Sequence, residues 1–173
     1  MRKSGENDNV VELEPVLKSL VDHEVEFVVI GGVAITAYGS AYVTQDLHFC
    51  YSRSSNNLKR IASALAKFNP RLRGFPQDLP FFWDERTLQN GTNFTLDTDS
   101  GDVDLLGEVA GVGTYSDLRA KSVEMEICNL SVQIISLDDL ISAERASARV
   151  KDLLALPELE TLRDLRDNPP NEV

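Results

Sequence analysis

Two glycines set directly after a short β-branched run constrain this chain more than any other feature. The run is Glu26 to Ile30, which reads as a buried strand because Val and Ile suit a pleated, enclosed position. Gly31-Gly32 follows, then a short small-residue helix from Val33 to Tyr38, which Gly39-Ser40 breaks. A second strand reads from Val43 to Tyr51. Side chains alternate across a strand, so Asp46, His48 and Cys50 share one face and Leu47, Phe49 and Tyr51 the other. A glycine turn before a helix N-terminus leaves backbone N–H groups free to hold a phosphate. It also serves as a plain tight turn, where glycine is the default residue. Asp46 is harder to account for that way, because a carboxylate on an apolar strand needs a partner.

Elsewhere the pattern interleaves helices with strands. Val11 to His23 has helical apolar spacing, with Pro15 near its first turn, where a missing N–H is harmless. Ser54 or Ser55 caps a helix to about Phe68, striped by Leu58, Ile61, Ala62, Leu65 and Phe68. Asn69 to Asp78 reads as a loop, and Leu79 to Trp83 is ambiguous. Phe81, Phe82 and Trp83 read as core rather than as a base-stacking platform. Asn93–Thr98 and Asp102–Leu106 form a hairpin around Asp99-Ser100-Gly101. A short helix, Tyr115 to Ser122, precedes a second hairpin, Val123–Ile127 with Leu130–Ile135. Ser136 caps a helix through Arg149, and a last helix runs from about Pro157 to Arg166. These elements predict an α/β (α+β) class: a mixed β-sheet with flanking helices in a single domain over 1–173, frayed at about 1–10 and 168–173.

Charge and composition narrow the function. The net charge is −11, which repels nucleic acid at long range. From Phe49 to Gln77, however, there is no acidic residue, while Arg53, Lys59, Arg60, Lys67, Arg71 and Arg73 carry +6, so the remainder carries −17. This is either a local basic face for an acceptor or a solvated helix. No apolar run approaches the roughly 18 residues of a membrane span, and the N-terminus has no signal-peptide core, so no membrane partner is expected. Cys50 and Cys128 sit in apolar sequence and read as reduced core thiols of a cytoplasmic protein.

Nucleotidyl transfer needs a held triphosphate, a divalent metal on carboxylates, and an acceptor hydroxyl close to both. Carboxylates at i and i+2 of a strand point to one side, and Asp102 and Asp104 have that spacing. Asp102 also suits the hairpin turn; Asp104, flanked by Val103 and Leu105, is the better site residue.

The segment FVVIGGVAITAYGSAYVTQDLHFCYSR, Phe27 to Arg53, resembles the AbiEii-like branch of the nucleotidyltransferase superfamily, which includes toxins of bacterial toxin–antitoxin and abortive-infection systems. RLRGFP, NFTLDTDSGDVDLLGEVAGVG and SLDDLISAERASARVKDLLALPEL extend the resemblance to about Leu159. It implies the nucleotidyltransferase fold, with Gly31, Gly32 and Ser40 at the phosphate-contacting turn. It implies Asp46 and Asp104 as catalytic carboxylates that hold Mg²⁺ or Mn²⁺, and a terminal Arg149-x-Lys151-Asp152 segment in which Lys151 meets the nucleotide. Lys151 and Asp152 also read as a surface ion pair.

Two departures stand out. His48 occupies the second position of an Asp-x-Asp pair, where it is either a metal ligand or a spacer, and imidazole suits Mn²⁺ or Zn²⁺ better than Mg²⁺. Glu144 stands where relatives often carry Lys, and a carboxylate there repels a triphosphate. The resemblance therefore implies an NTP-using transferase acting on RNA (a tRNA end among the acceptors) or protein, impaired by His48 and Glu144. The alternatives are an inactive binding module on the same fold, or a toxin–antitoxin component acting through a partner such as an antitoxin.

Overall fold

The structure, a computed structural model, describes residues 12–41 and 44–170. The expected starts of the first helix at Val11 and of the second strand at Val43 lie outside those residues, as do 1–10 and the 171–173 part of the 168–173 segment expected to fray. In chain order the elements are α1 (Leu13–Asp22), β1 (Phe27–Ile30), α2 (Gly31–Ala37), β2 (Asp46–Tyr51), α3 (Ser55–Ala66), β3 (Arg71–Leu72), α4 (Glu85–Asn90), β4 (Asn93–Thr98) and β5 (Gly101–Leu106). They continue with β6 (Glu108–Val109), β7 (Gly113–Thr114), α5 (Tyr115–Lys121), β8 (Val123–Ile127), β9 (Leu130–Ile134), α6 (Leu137–Ser147) and α7 (Val150–Asp167).

Seven strands form one mixed sheet in the order β3-β4-β5-β2-β1-β9-β8, and β6 and β7 pair separately. The pairs β2 with β5 and β1 with β9 are parallel, while the hairpins β4–β5 and β8–β9 are antiparallel. This is the expected α/β architecture. The parallel pairs exist because helical connections carry the chain back before it re-enters the sheet. One face of the central strands is apolar: Leu47, Phe49, Tyr51, Val103 and Leu105 are fully buried in a cluster with Leu17 and Leu20 of α1 and Ile61 and Leu65 of α3. The alternate residues of β2 and β5 turn to the other face, which α2 and α6 partly cover.

Ser54 and Ser136 cap α3 and α6, accepting from the backbone N–H of Asn57 and Asp139. Asn57 then does more than sit in a helix. Fully buried, it accepts from the Glu26 N–H and donates to the carbonyls of Glu26 and Ser52, tying α3 to the start of β1 and the end of β2.

Several expectations are corrected. The 69–78 loop contains β3, a two-residue edge strand too short to show alternation. A further helix, α4, follows the aromatic segment; its N-cap Asp84 accepts from Thr87. The last helix starts at Val150 and carries Pro157 in its interior, not at its first turn. Proline removes a helical donor there, and burial of Asp152, Ala155 and Leu159 keeps the helix continuous across it. Of the aromatic trio, Trp83 packs on the core and donates to the Ala62 carbonyl, while Phe82 is 72% exposed. Cys50 is a buried free thiol whose pKa burial pushes up to about 12, but Cys128 is exposed at a positive-φ turn. Among the described residues no helix is long and apolar enough to cross a membrane.

Asn57→Ala removes three hydrogen bonds and takes their partner from the Glu26 N–H and the Ser52 carbonyl, beside β1 and β2, so it should cost about 1–3 kcal/mol in urea denaturation. An unchanged midpoint would show that these groups find other partners.

Candidate functional site

The site is built by strand register. Parallel pairing sets Asp46 opposite Asp102 and His48 opposite Asp104. The antiparallel β4 adds Asp97 beside Asp102 and Thr95 beside Asp104. Because registered partners lie on one face, four carboxylates and an imidazole gather there. On the other side of β2, Ile30 faces His48, and the next residue begins α2.

Gly31 is required at that junction. Its φ is +64°, a left-handed value, and a Cβ there would lie 3.1 Å from His48 Nδ1. The glycine thus lets the imidazole seat against the backbone. The Nε2 edge of the ring faces the acids, 3.0 Å from Asp104 Oδ2 and 3.6 Å from Asp46 Oδ2. Despite that closeness Nε2 is buried without an aligned hydrogen bond. Asp46, His48 and Asp104 each offer a ligand atom, all within 4.8 Å of one another. An imidazole nitrogen 3.0 Å from one carboxylate oxygen and 3.6 Å from another suits either a divalent cation shared by the three residues or a direct pair with Asp104. Two oxygens and one nitrogen suit Mn²⁺ better than Mg²⁺.

Arg73 is the member that sequence reasoning missed. It follows β3, and its backbone N–H donates to the Thr95 carbonyl at 2.8 Å, extending the ladder. Its guanidinium reaches Asp97, Asp102 and Asp104 at 3.0, 3.5 and 3.0 Å. Burial pushes the Asp104 carboxyl up, but His48 and Arg73 outweigh it and hold the group below the ordinary Asp value. The basic run was visible; its place opposite the acids depended on the unrecognised β3–β4 pairing.

A cavity of about 140 Å³ opens beside the cluster. Gly31, Gly32, Thr44, Asp46 and His48 line one side, and Glu144, Ser147, Arg149, Lys151 and Asp152 the other. Ile30, the residue before α2, has no side-chain acceptor, so the first N–H groups of α2 lack a side-chain cap at this wall. The structure therefore brings Gly31, Gly32, Asp46, His48, Asp104 and Lys151 to one place, Asp104 in the cation cluster and the other five on the cavity wall. Ser40 is buried elsewhere: its hydroxyl donates to Glu158 Oε2 at 2.7 Å, bracing the end of α2 against α7. Asp152 pairs with Arg149 at 2.7 Å and accepts from Ser147, and the Lys151–Asp152 ion pair weighed from sequence is replaced by these contacts.

Glu144 is only 6% exposed, and its Oε2 has no hydrogen-bond partner. Desolvation first, then the neighbouring Asp152 carboxylate, pushes its pKa up to about 7. At neutral pH it is therefore about half protonated, and it repels a phosphate less than its formal charge implies.

No family model matches the sequence, and no curated protein matches it. The fold does match solved structures. The lincosamide antibiotic adenylyltransferase LnuA, solved with lincomycin bound, superposes with a TM-score of 0.60 at 13% identity, over 89% of this chain and 99% of that one. The antibiotic-resistance factor ANT(2'')-Ia follows with a TM-score of 0.51 at 15% identity, over 90% and 89%. A Thermotoga maritima protein assigned to the nucleotidyltransferases has a TM-score of 0.50 at 15% identity, over 90% of both chains. At such identities the likeness is one of fold, and that fold is the nucleotidyltransferase fold.

Glu144 binds its proton more tightly folded than unfolded, so its contribution lowers stability as pH rises from about 4.5 to about 7. Glu144→Gln should be stabilised relative to the parent by roughly 2–3 kcal/mol at pH 8, with the gap closing toward pH 4.5. Thermal unfolding of both proteins across that range checks it; a pH-independent gap would contradict the buried acid.

Proposed function

We propose that this chain transfers a nucleotidyl group from an NTP to a hydroxyl acceptor, with Mg²⁺ or Mn²⁺ held by Asp46, His48 and Asp104. The observation that carries this reading is the convergence of those three ligand atoms beside a cavity walled by Gly31 and Gly32, on a nucleotidyltransferase fold. N–H groups at the start of α2, which no N-cap side chain satisfies, would take phosphate oxygens, and Lys151 adds positive charge from the opposite wall. The acceptor hydroxyl gives its proton to a site carboxylate or to water, its oxygen bonds to the α-phosphorus, the bond from that phosphorus to the α,β-bridging oxygen breaks, and pyrophosphate leaves. A bound divalent ion supplies Lewis-acid charge at the phosphoryl oxygens. Asp46 and Asp104 are the carboxylates on which the reaction depends, and His48 substitutes for a third.

We assign the chain to the AbiEii-like branch on the residues from Phe27 to Arg53, with RNA, including a tRNA end, or a protein as acceptor in the cytoplasm. The basic stretch from Arg53 to Arg73 supports an anionic acceptor. A bound antitoxin-like partner accompanies that assignment. The neighbours LnuA and ANT(2'')-Ia bear on the acceptor differently: one is a lincosamide adenylyltransferase, and the other has been solved with adenylyl-2''-tobramycin. A small hydroxylated acceptor therefore belongs in the assay.

One observation favours a second reading, an inactive binding module: Arg73 already neutralises Asp102 and Asp104. The same experiment separates the two. α-Labelled NTPs with Mg²⁺ or Mn²⁺ are offered to total tRNA, cell protein and hydroxylated antibiotics. Transfer is expected with Mn²⁺, and Asp46→Asn should reduce it by about 100-fold or more. No transfer, but protection against thermal unfolding by Mn²⁺ plus NTP, would establish the binding module. Neither transfer nor protection would end both readings.

A further inference from the structure

Asp104 turns its two carboxylate oxygens to different groups, and one of those groups is a fixed cation of the chain. Its Oδ2 turns toward Asp46 and His48, 3.0 Å from His48 Nε2. Its Oδ1 lies 3.0 Å from Arg73 Nη2. That nitrogen is also 3.5 Å from Asp102 Oδ2 and donates to the Leu96 carbonyl at 3.1 Å, while Nε lies 3.0 Å from Asp97 Oδ1. The guanidinium is thus held by three carboxylates and a carbonyl, on a stem fixed by backbone pairing with Thr95. Two-thirds of the Arg73 side chain is shielded from solvent, and Asp104 is 13% exposed, so the contact is not a loose surface pair.

A carboxylate that offers one oxygen to each of two cations has the arrangement of two-metal phosphoryl-transfer centres, where the ions lie about 3.5–4 Å apart. Here the outer position is filled by a group that stays protonated at any physiological pH. We propose that Arg73 is a resident second cation: it occupies the outer side of Asp104, so that the site takes a single divalent ion, on the Asp46–His48 side. This inference rests on the metal-site reading above, and it assigns Arg73 to a charge position that a metal would otherwise fill. It also accounts for the crowding of Asp97, Asp102 and Asp104 on one face, since without Arg73 they would repel one another at close range.

The test is metal stoichiometry, read on the full chain with Mn²⁺ alone by titration calorimetry and by electron paramagnetic resonance. The parent protein should bind one ion and give an uncoupled spectrum at saturation. Arg73→Gln should bind two, with spin coupling between them, and Arg73→Lys should keep to one. Asp46→Asn should lose the single ion of the parent by at least about tenfold in affinity, which places it on the inner side. Two ions in the parent would overturn the inference while leaving the metal site intact. A folded Arg73→Gln that still binds one would overturn it as well. If Arg73→Gln does not fold, the parent and Arg73→Lys decide, and two ions in either refute it. No ion in any of them would remove the metal-site reading together with this inference.

Discussion

The parallel pairing of β2 with β5 is the constraint on which the rest of the site depends. It joins strands separated in sequence by α3, β3, α4 and β4, and it sets Asp46 and His48 beside Asp102 and Asp104. The opposite face of the same two strands explains why it holds. Leu47, Phe49, Val103 and Leu105 are fully buried, each contributing about 1.5–3 kcal/mol by leaving water. Alternation then forces the charged residues together on the other side, against their mutual repulsion. The hydrophobic core positions these groups, and Arg73 offsets part of the charge that results.

The second wall of the cavity is made differently. The helices α6 and α7 meet at Ala148, which has φ of 52°, a left-handed conformation that usually falls to Gly or Asn. That turn brings Ser147 and Arg149 onto Asp152 and leaves Glu144 beneath them. Glu144 was a departure from the expected pattern because a carboxylate repels phosphate. Its burial changes the meaning of that departure, because a buried, half-protonated acid carries much less charge than a solvated one.

Taken together, the site has an asymmetric charge design. One side gathers acids around His48 and Arg73; the other presents Lys151 and Arg149 at the surface, with two acids behind. Gly31 and Gly32 line the cavity on the side of the acids, and Arg149 and Lys151 line it on the far wall.

The sequence by itself determined the local elements and most of the candidate site. Gly31-Gly32, the Asp46/His48 alternation, the β4–β5 and β8–β9 hairpins and the caps at Ser54 and Ser136 were all legible, because each depends on residues within a turn or two of one another. The fold class followed from their order. Only the tertiary structure decided which of the candidates meet. Ser40 left the cavity for Glu158, Arg73 entered from what read as a loop, and α7 ran through Pro157 because distant burial outweighed a local helix breaker. The pKa of Glu144 likewise belongs to its enclosure and not to its sequence neighbours. Periodicity and capping are short-range, whereas pairing across the sheet and desolvation arise only once remote segments have packed.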